Sequence, residues 1–564
     1  MSLLKIKSCE TLYIVYPAAI TSHEFEQAET IMNRVWALCG ARPVLVCDRN
    51  KAPEDVIPQG VPAIIVGNNI MPECRQVLAD ITYGEGEIRV MGNRIVVAAH
   101  TDDMLIPMIS ELADSMSMEG DVLVIDVPEK RYKGYRYLHK LPLCEGGRLI
   151  AYRGGCQETD MVVLDNTDED IYRAYVEKIA KQYKTEWQRE TCGNLFAAFT
   201  GDGVAIHVYY TPYNHFIRAI IEPISHFCVD DDTKLEAVTT PLMTFMGRRF
   251  TYNTRYLGKD SGAGQMSYCM RLSDGSFLVY DGGLATDGFA DGIYDVMREQ
   301  APDPDNLVIA AWIITHSHAD HIGGFVKFSE KYADKVKLER MYYNFPSIKD
   351  AEVFREAWNI RLTMEHLLTY FPEAKFMKPH TGDIINVRDA SFEILYTHED
   401  YVRQYLSMVN THIYNMSSLV ARMTLGGDTV MFMGDCQDEA NDFIVAMYGD
   451  YLKAHILQVC HHGGCGGTVP LYSAIDPEIA IFSTTDELLP EYLAVVYNYH
   501  LVYEQNVKQI FNSAENTITL PLPYTAGEYN IPPFEGNIVE KLASTKGYVI
   551  STVKNGEKVD VKKD

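Results

Sequence analysis

Residues 315–324 constrain this chain most strongly, because they place four metal-binding side chains within six positions. These side chains are His316, His318, Asp320 and His321. Imidazole and carboxylate groups are the ligands that borderline divalent ions such as zinc prefer. An apolar run at residues 307–314 comes just before and predicts a buried strand. The four side chains are therefore expected on a loop where a strand ends, and Gly323-Gly324 allow the backbone to turn into a helix.

The spacing of these side chains suits two metal ions. His316 and His318 are two positions apart, so in extended backbone they point to the same side and can hold one ion. Asp320 and His321 follow where the chain turns, and they can reach a second ion. Two ions about 3.5–4 Å apart can hold a hydroxide and clamp the oxygens of a substrate. The segment predicts a centre of two divalent ions, with zinc as the first choice and manganese or iron as alternatives.

This segment resembles the signature of the metallo-β-lactamase superfamily of hydrolases. The resemblance implies an α/β protein whose C-terminal part is an αββα sandwich, and it implies further ligands beyond residue 321. Asp281 ends a predicted strand and is followed by two glycines, so it matches the first motif, an aspartate that supports the metal loop without touching the ions. Asp435 also follows a predicted strand, and it matches the aspartate that bridges the two ions.

The last histidine motif of the superfamily matches a double histidine, His461-His462, followed by two glycines. One histidine of this pair is expected to bind metal, and the other is expected to face the substrate. The residues leave both assignments open, and we predict His462 as the ligand and His461 as the catalytic group.

The third histidine motif has several candidates between Gly324 and Asp435. They are His366, His380, His398 and His412. His366 lies in a helical pattern, whereas His398 follows a predicted strand at residues 391–396. We predict His398 as the third-motif ligand, with His380 as the alternative.

Three local segments narrow the resemblance to one branch of the superfamily. They are residues 261–267, residues 415–420 and the double-histidine segment 461–464. The segments resemble the branch that holds competence-protein hydrolase domains and the phosphorylcholine esterases of teichoic acid. That branch usually ends the last motif in serine, where this chain has Gly464. The branch implies a small-molecule or cell-envelope-type ester as substrate, with a phosphodiester as the leading choice.

The expected mechanism follows from the two ions. They would lower the pKa of a bound water from about 15.7 toward about 7, and the resulting hydroxide would attack the ester. Asp320, Asp435 and His461 are expected to act in the reaction: Asp435 would hold the nucleophile's proton, and His461 would stabilise a phosphoryl oxygen or protonate the leaving group. Metal binding needs neutral imidazole, so activity is expected to fall at acid pH.

Two other functions compete with hydrolysis. Flavin-partnered di-iron oxidoreductases share the fold, but their motif usually has an acidic residue where His318 stands. A binding protein with a decayed site is the second alternative, although decay would be expected to remove a ligand and every motif here has a candidate.

The charge of the chain bears on its partners. It has 50 basic and 77 acidic residues, for a net charge of −27. Because nucleic-acid binding depends on lysine and arginine neutralising phosphates, this balance argues against a nucleic-acid substrate.

No run of the sequence approaches the roughly 20 apolar residues of a transmembrane helix. The first residues lack the apolar core and cleavage site of a secretory signal, so we expect a cytoplasmic protein.

Composition and periodicity divide the chain into five parts. We predict an α/β accessory domain at 1–120, an α+β accessory domain at 121–229, a polar linker at 230–239, the catalytic domain at 240–550 and a charged tail at 551–564. The first of these resembles the non-catalytic α/β domain that precedes some glycoside hydrolases.

Overall fold

A computed structural model gives the fold. It describes residues 2–561 apart from 8–9, 19–21, 50, 135, 232, 234–235, 248–250, 254–259, 263–264, 349–355, 402–410, 515, 535, 543–548 and 555–556. The chain forms two compact units. The first comprises Met1–Gly154, Glu158–Gln188 and Leu195–Ile224, and the second comprises Gly155–Gln157, Arg189–Asn194 and Ser225–Asp564.

The first unit begins with strands that alternate with helices. Its first six-stranded sheet has the order Val44–Cys47, Tyr13–Tyr16, Ala63–Val66, Arg94–Ala99, Glu85–Met91, Lys130–Lys133. The first four strands are parallel, and the last two pair antiparallel. The accompanying helices are Ser22–Cys39, Pro53–Val56, Pro72–Ala79 and Leu105–Asp114.

A small antiparallel sheet in the same unit contains the predicted boundary at residue 120. Its order is Ser2–Lys7, Val122–Val127, Met116–Glu119. The boundary therefore falls in the turn between two paired strands, and the division into five parts stays a prediction.

The second six-stranded sheet is antiparallel. Its order is Arg148–Gly154, Asp160–Asp165, Phe216–Pro223, Val204–Thr211, Asn194–Gly201, Lys184–Thr191. The helix Glu169–Ala180 places its apolar side, with Tyr172, Tyr175 and Ile179, in the same core as this sheet. Asp168 caps the helix by accepting a hydrogen bond from the Ile171 backbone N–H.

The second unit is built on two large sheets. The first sheet has the order Lys375–Met377, Arg340–Tyr342, Leu307–Ile313, Phe277–Tyr280, Tyr268–Arg271, Leu242–Phe245, Ile518–Pro521, and Val336–Leu338 also pairs with Leu307–Ile313. The second sheet has the order Ile384–Val387, Ala390–Tyr396, Val420–Leu425, Asp428–Phe432, Ile456–Gln458, Ile479–Phe482, Gln509–Asn512.

Three apolar layers show that the two sheets form a sandwich between helices. The middle layer joins buried side chains of both sheets, and Tyr280 stacks on Phe432 at 4.1 Å between ring centroids. One outer layer packs the first sheet against the helices Asp287–Gln300, Ala319–Tyr332 and Ala357–Tyr370. The other packs the second sheet against Asp438–Tyr448, Val469–Ile475, Leu489–Leu493, Val496–Tyr499 and His500–Glu504. The expected α/β fold with a C-terminal αββα sandwich is confirmed.

The predicted linker at 230–239 is held firmly where it is described. The Asp231 carboxylate binds the guanidinium groups of Arg388 and Arg340, and the second of these contacts is 2.8 Å long. Its side chain is fully buried, so this part of the predicted linker is anchored to the sandwich.

The predicted charged tail contains regular structure. Glu557–Val561 pairs antiparallel with Val549–Lys554, which pairs with Val539–Leu542. Valines alternating with charged residues favour a strand despite the charge, and the assignment of a charged tail stays a prediction. In the described part of the chain, no helix has the length and apolarity to cross a membrane.

Candidate metal centre

Apart from His398, the predicted site residues follow the carboxyl ends of parallel strands. Phe277–Tyr280 and Leu307–Ile313 are parallel neighbours in the first sheet and lead into Asp281 and His316. In the second sheet, Asp428–Phe432 and Ile456–Gln458 are parallel and lead into Asp435 and the double histidine. Loops at such strand ends are where α/β folds place their functional groups.

Two glycine positions let the metal loop lie close to the Asp281 strand. A Cβ atom at Gly324 would lie 1.6 Å from the Gly282 carbonyl oxygen, and one at Gly323 would lie 2.2 Å from the Ala285 nitrogen. Both distances are impossible for a real side chain, so this packing requires glycine.

Asp281 contacts the predicted metal loop, and its role as a support for that loop stays a prediction. Its carboxylate accepts hydrogen bonds from the Thr315 N–H at 2.8 Å, from the Thr315 hydroxyl at 2.9 Å and from His321 Nδ1 at 2.8 Å. A proton on Nδ1 leaves the Nε2 lone pair of His321 facing the site. Burial raises the pKa of Asp281, and its contact with His321 opposes that rise.

The first group of converging side chains is called the four-group cluster here, and it comprises Asp320, His321, Asp435 and His462. One potential ligand atom of each lies within 4.8 Å of the others. Asp435 Oδ1 is 3.3 Å from His321 Nε2 and 3.6 Å from His462 Nε2. Asp320 Oδ2 is 3.3 Å from His462 Nε2.

The second group, the three-group cluster, comprises His316, His318 and Asp435. His316 Nε2 is 2.9 Å from His318 Nδ1 and 3.8 Å from Asp435 Oδ2. Asp435 therefore belongs to both clusters and presents a different carboxylate oxygen to each.

Buried atoms of the four-group cluster test whether an ion fits there. Nε2 of His321, Nε2 of His462 and Oδ1 of Asp435 are buried, and none makes a hydrogen bond of good geometry to a described residue. Buried polar atoms normally have partners. Three such atoms facing one another, with two imidazoles and two carboxylates as the donor set, fit a divalent cation.

Burial and charge set the pKa values of this centre in opposite directions. Burial lowers the pKa of His316 well below its ordinary value, and repulsion from His321 and His318 adds to the effect. Burial also disfavours the charged form of His321, but Asp435 and Asp281 outweigh it and raise its pKa well above normal. Burial also disfavours the charged form of His462, but Asp435 and Asp320 outweigh it and raise its pKa to about 9. Without a cation, protons on His321 and His462 therefore balance the buried carboxylates.

The double histidine lies on a strained loop. His461 and His462 have φ values of 45° and 59°, in the left-handed region that non-glycine residues rarely adopt. The backbone N–H of His461 donates to the Gly434 carbonyl at 3.0 Å. His462 thereby enters the four-group cluster, while His461 Nε2 lies 3.5 Å from Asp435 Oδ2.

Two further side chains surround His461. Its Nδ1 lies 2.6 Å from the Cys465 sulfur, and its Nε2 lies 3.4 Å from Asn415 Nδ2. Both neighbours are buried. These contacts orient the ring of His461, whose assigned role stays a prediction.

The third-motif candidates lie outside both clusters. His398 begins a short 3₁₀ helix, and its Nε2 is 3.0 Å from Asn344 Oδ1. His380 Nδ1 is 2.9 Å from Glu399 Oε1. His366 contacts Ser329, and the side chain of His412 lies outside the described residues. The choice of His398 stays a prediction.

Glu356, which no sequence motif marks, lies next to this centre. Its Oε1 is 3.7 Å from His318 Nε2. Burial raises the pKa of Glu356 to about 7, with the Asp320 charge adding to the effect. No motif could have identified this residue, because an isolated glutamate before a helical pattern is common.

A family comparison agrees with the sandwich and its clusters. The family described as Metallo-beta-lactamase superfamily matches residues 262–437. The match includes Asp281, the 315–324 segment and Asp435. This domain belongs to the metallo-β-lactamase superfamily. Membership, with the two clusters, supports a metal-dependent hydrolase in general.

Solved structures related to this metallo-β-lactamase domain are distant. The short form of human tRNase Z is 10% identical, covers 50% of this chain and 99% of its own, and has a TM-score of 0.28. Zn²⁺-bound PqqB from Methylobacterium extorquens is 9% identical, covers 50% of this chain and 100% of its own, and has a TM-score of 0.30. A metallo-β-lactamase from Cronobacter sakazakii is 13% identical, covers 31% and 59%, and has a TM-score of 0.19. A comparison with curated proteins gives no significant match.

Proposed function

We propose that the protein is a hydrolase that uses two divalent metal ions on an ester-type bond, with a phosphodiester as the leading substrate class. One observation carries the proposal: Asp435 presents Oδ1 to the four-group cluster and Oδ2 to the three-group cluster. A carboxylate shared in this way is suited to bridge two cations. The other residues of the clusters are the imidazoles and the carboxylate that zinc, manganese and iron accept.

The residues that would hold the ions divide between the clusters. Asp320, His321 and His462 would hold one ion, His316 and His318 would hold the other, and Asp435 would contact both. Bound ions would supply Lewis acidity and make a water acidic enough to yield a nucleophile at neutral pH.

The third-motif ligand remains part of this proposal. His398 is proposed to complete the three-group cluster, because it is the residue that best matches the third motif. Two histidines and one shared carboxylate make a smaller set than zinc usually takes, so a further ligand is expected there.

His461 is proposed to act on the substrate. Its Nε2 lies near Asp435 Oδ2 but outside the four-group cluster. A ring nitrogen at this position can donate a hydrogen bond to a phosphoryl oxygen or pass a proton to the leaving group. The buried contacts of His461 with Asn415 and Cys465 fix the ring, so the reacting nitrogen is preorganised.

The substrate class rests on the branch resemblance and on the charge of the chain. A small or cell-envelope-type phosphodiester fits a protein whose net charge of −27 argues against binding long nucleic acid. The cytoplasmic location stays a prediction.

Metal analysis combined with a substrate panel tests the proposal. The full chain, saturated with zinc or manganese and then desalted, should hold close to two ions, and it should hydrolyse an activated phosphodiester faster than a carboxylic ester or a lactam. Asp450→Asn, an exposed carboxylate of the same domain, serves as the matched control and should leave both properties unchanged. A single ion under metal saturation, or two ions without hydrolysis of any ester, would contradict the proposal.

A further inference from the structure

Glu356 is placed where a helix begins beside the three-group cluster. It is the N-terminal flanking residue of the helix Ala357–Tyr370. One carboxylate oxygen, Oε2, accepts a hydrogen bond from Asn359 Nδ2 at 2.7 Å. The other, Oε1, lies 3.7 Å from His318 Nε2. The carboxylate is therefore held by its own helix and directed at His318.

The two ring nitrogens of His318 face different groups. Nδ1 is 2.9 Å from His316 Nε2 and so belongs to the three-group cluster. Nε2 faces Glu356. An imidazole that binds a cation through Nδ1 carries its proton on Nε2, and this proton needs an acceptor.

We infer that Glu356 is a positioning residue for His318: its carboxylate accepts a hydrogen bond from the Nε2–H group and holds the ring with Nδ1 toward the three-group cluster. The inference rests on the proposed function, because it assigns His318 to a metal ion. The 3.7 Å separation is an ion-pair distance. A small side-chain rotation would shorten it to the about 3 Å of a hydrogen bond.

The four-group cluster shows the same arrangement in closer form. His321 directs Nε2 at its cluster, while its Nδ1 is held by the Asp281 carboxylate at 2.8 Å. Each cluster thus has one histidine whose second ring nitrogen faces a carboxylate. The carboxylates come from different places: Asp281 follows a strand, whereas Glu356 precedes a helix.

Geometry also explains why a carboxylate is suited to this place. The side chains of Glu356 and His318 are only 13% and 16% exposed, so water competes weakly for the contact. The N-terminal end of the 14-residue helix that follows and the Asn359 amide both favour negative charge at this position, and they oppose the cost of burying it.

Metal titration of the full chain tests the inference. Zinc affinity should be measured by chelator competition in the wild type, Glu356→Gln and Glu365→Gln, the last being an exposed glutamate of the same helix. Glu356→Gln should weaken one ion by about 10- to 100-fold, the range for carboxylates behind a ligand histidine, and leave the other unchanged. Glu365→Gln should bind both ions as the wild type does.

A double-mutant cycle separates positioning from general stability. In a His318→Ala background, Glu356→Gln should cause no further loss of metal affinity, and Glu356→Gln should not lower the Tm of the metal-free protein. An equal loss in both backgrounds, or unchanged affinity in Glu356→Gln, would overturn the inference. If the wild type itself holds no ions, the proposed function fails as well. If the wild type holds two ions and Glu356→Gln binds both with wild-type affinity, the inference alone fails.

Discussion

The two halves of the candidate metal centre differ in how firmly one histidine of each is supported. In the four-group cluster, His321 is fully buried and Asp281 holds its second nitrogen at 2.8 Å. In the three-group cluster, His318 is 16% exposed and its nearest carboxylate contact, to Glu356, is 3.7 Å long. The ring of His321 is thus held without a cation, whereas the ring of His318 has room to adjust. We expect ligand exchange to be easier at His318.

The largest expected effect comes from removing what the halves share. Asp435→Asn removes the only side chain that belongs to both clusters among the described residues. It should weaken both ions and reduce hydrolysis by well over 100-fold, because substitutions behind the ligands already cost about 10- to 100-fold. Metal analysis and kcat measure these effects. Loss of one ion with the other held tightly would show that Asp435 serves one half only.

The double histidine should separate metal binding from catalysis. His462→Ala should lose the ion of the four-group cluster. His461→Ala should keep both ions and lose about 100-fold or more in kcat, as is typical for a general acid. Metal content and kcat should be measured for both variants, and each variant serves as the control for the other. The reverse pattern would exchange the roles of the pair.

The third-motif assignment concerns the further ligand that is proposed for the three-group cluster. If His398 is its missing ligand, His398→Ala should release one ion, while His380→Ala, whose ring is held by Glu399, should keep both. Metal analysis after dialysis compares the two variants. If both variants keep two ions, the extra ligand comes from elsewhere in the chain.

Substitution of Asp281 should affect only the ion of the four-group cluster. Asp281→Asn loses the anionic acceptor for His321 Nδ1, so it should weaken the ion of the four-group cluster by about 10- to 100-fold. The ion of the three-group cluster should bind unchanged. Chelator competition measures both affinities, and exposed Asp334→Asn serves as the control. Equal weakening of both ions would mean that Asp281 supports the entire loop.

The smallest expected effect is a difference in proton release between the halves. His462 has a pKa of about 9 without a cation, so at pH 7 the four-group cluster should release about one proton or more as it takes up an ion. His316 has a lowered pKa and should release none. Calorimetry in buffers of different ionisation enthalpy measures the count, and equal release from both halves would contradict these charge states.

The same pKa shifts set the sign of a stability change. A histidine whose pKa is raised on folding stabilises the metal-free protein fully below its unfolded pKa of about 6.5, and this contribution is lost as pH rises through the folded value. For His462 the loss should fall between about pH 6.5 and about pH 9. Zinc affinity should rise over the same interval.

The sandwich was expected from the family resemblance, whereas the proximity of the proposed ligands has a physical reason. His316 and His321 are close in the chain, and they follow an apolar strand whose buried end fixes their direction. Asp435 and His462 are distant in sequence, but each also follows a strand, so the strand ends brought them together as expected.

The parts that sequence did not reveal depend on contacts between distant segments. Glu356 reaches His318 only because its helix packs beside the metal loop, and no local pattern marks such a contact. The strand at Glu557–Val561 was missed because its charged residues hide a β-favouring alternation. The anchoring of Asp231 depends on Arg340 and Arg388, more than 100 positions further along the chain.

At His461 and His462, the left-handed backbone favours glycine for thermal stability, whereas the proposed activity needs histidine. Glycine adopts such φ values without strain, so selection for heat resistance alone would favour glycine at both positions. The chain keeps imidazoles there instead, next to glycines at 463 and 464 that could absorb the turn. Laboratory evolution that selects only for thermal stability should therefore replace these histidines by glycine early. A thermostable variant that retains both histidines should carry its stabilising substitutions elsewhere in the chain.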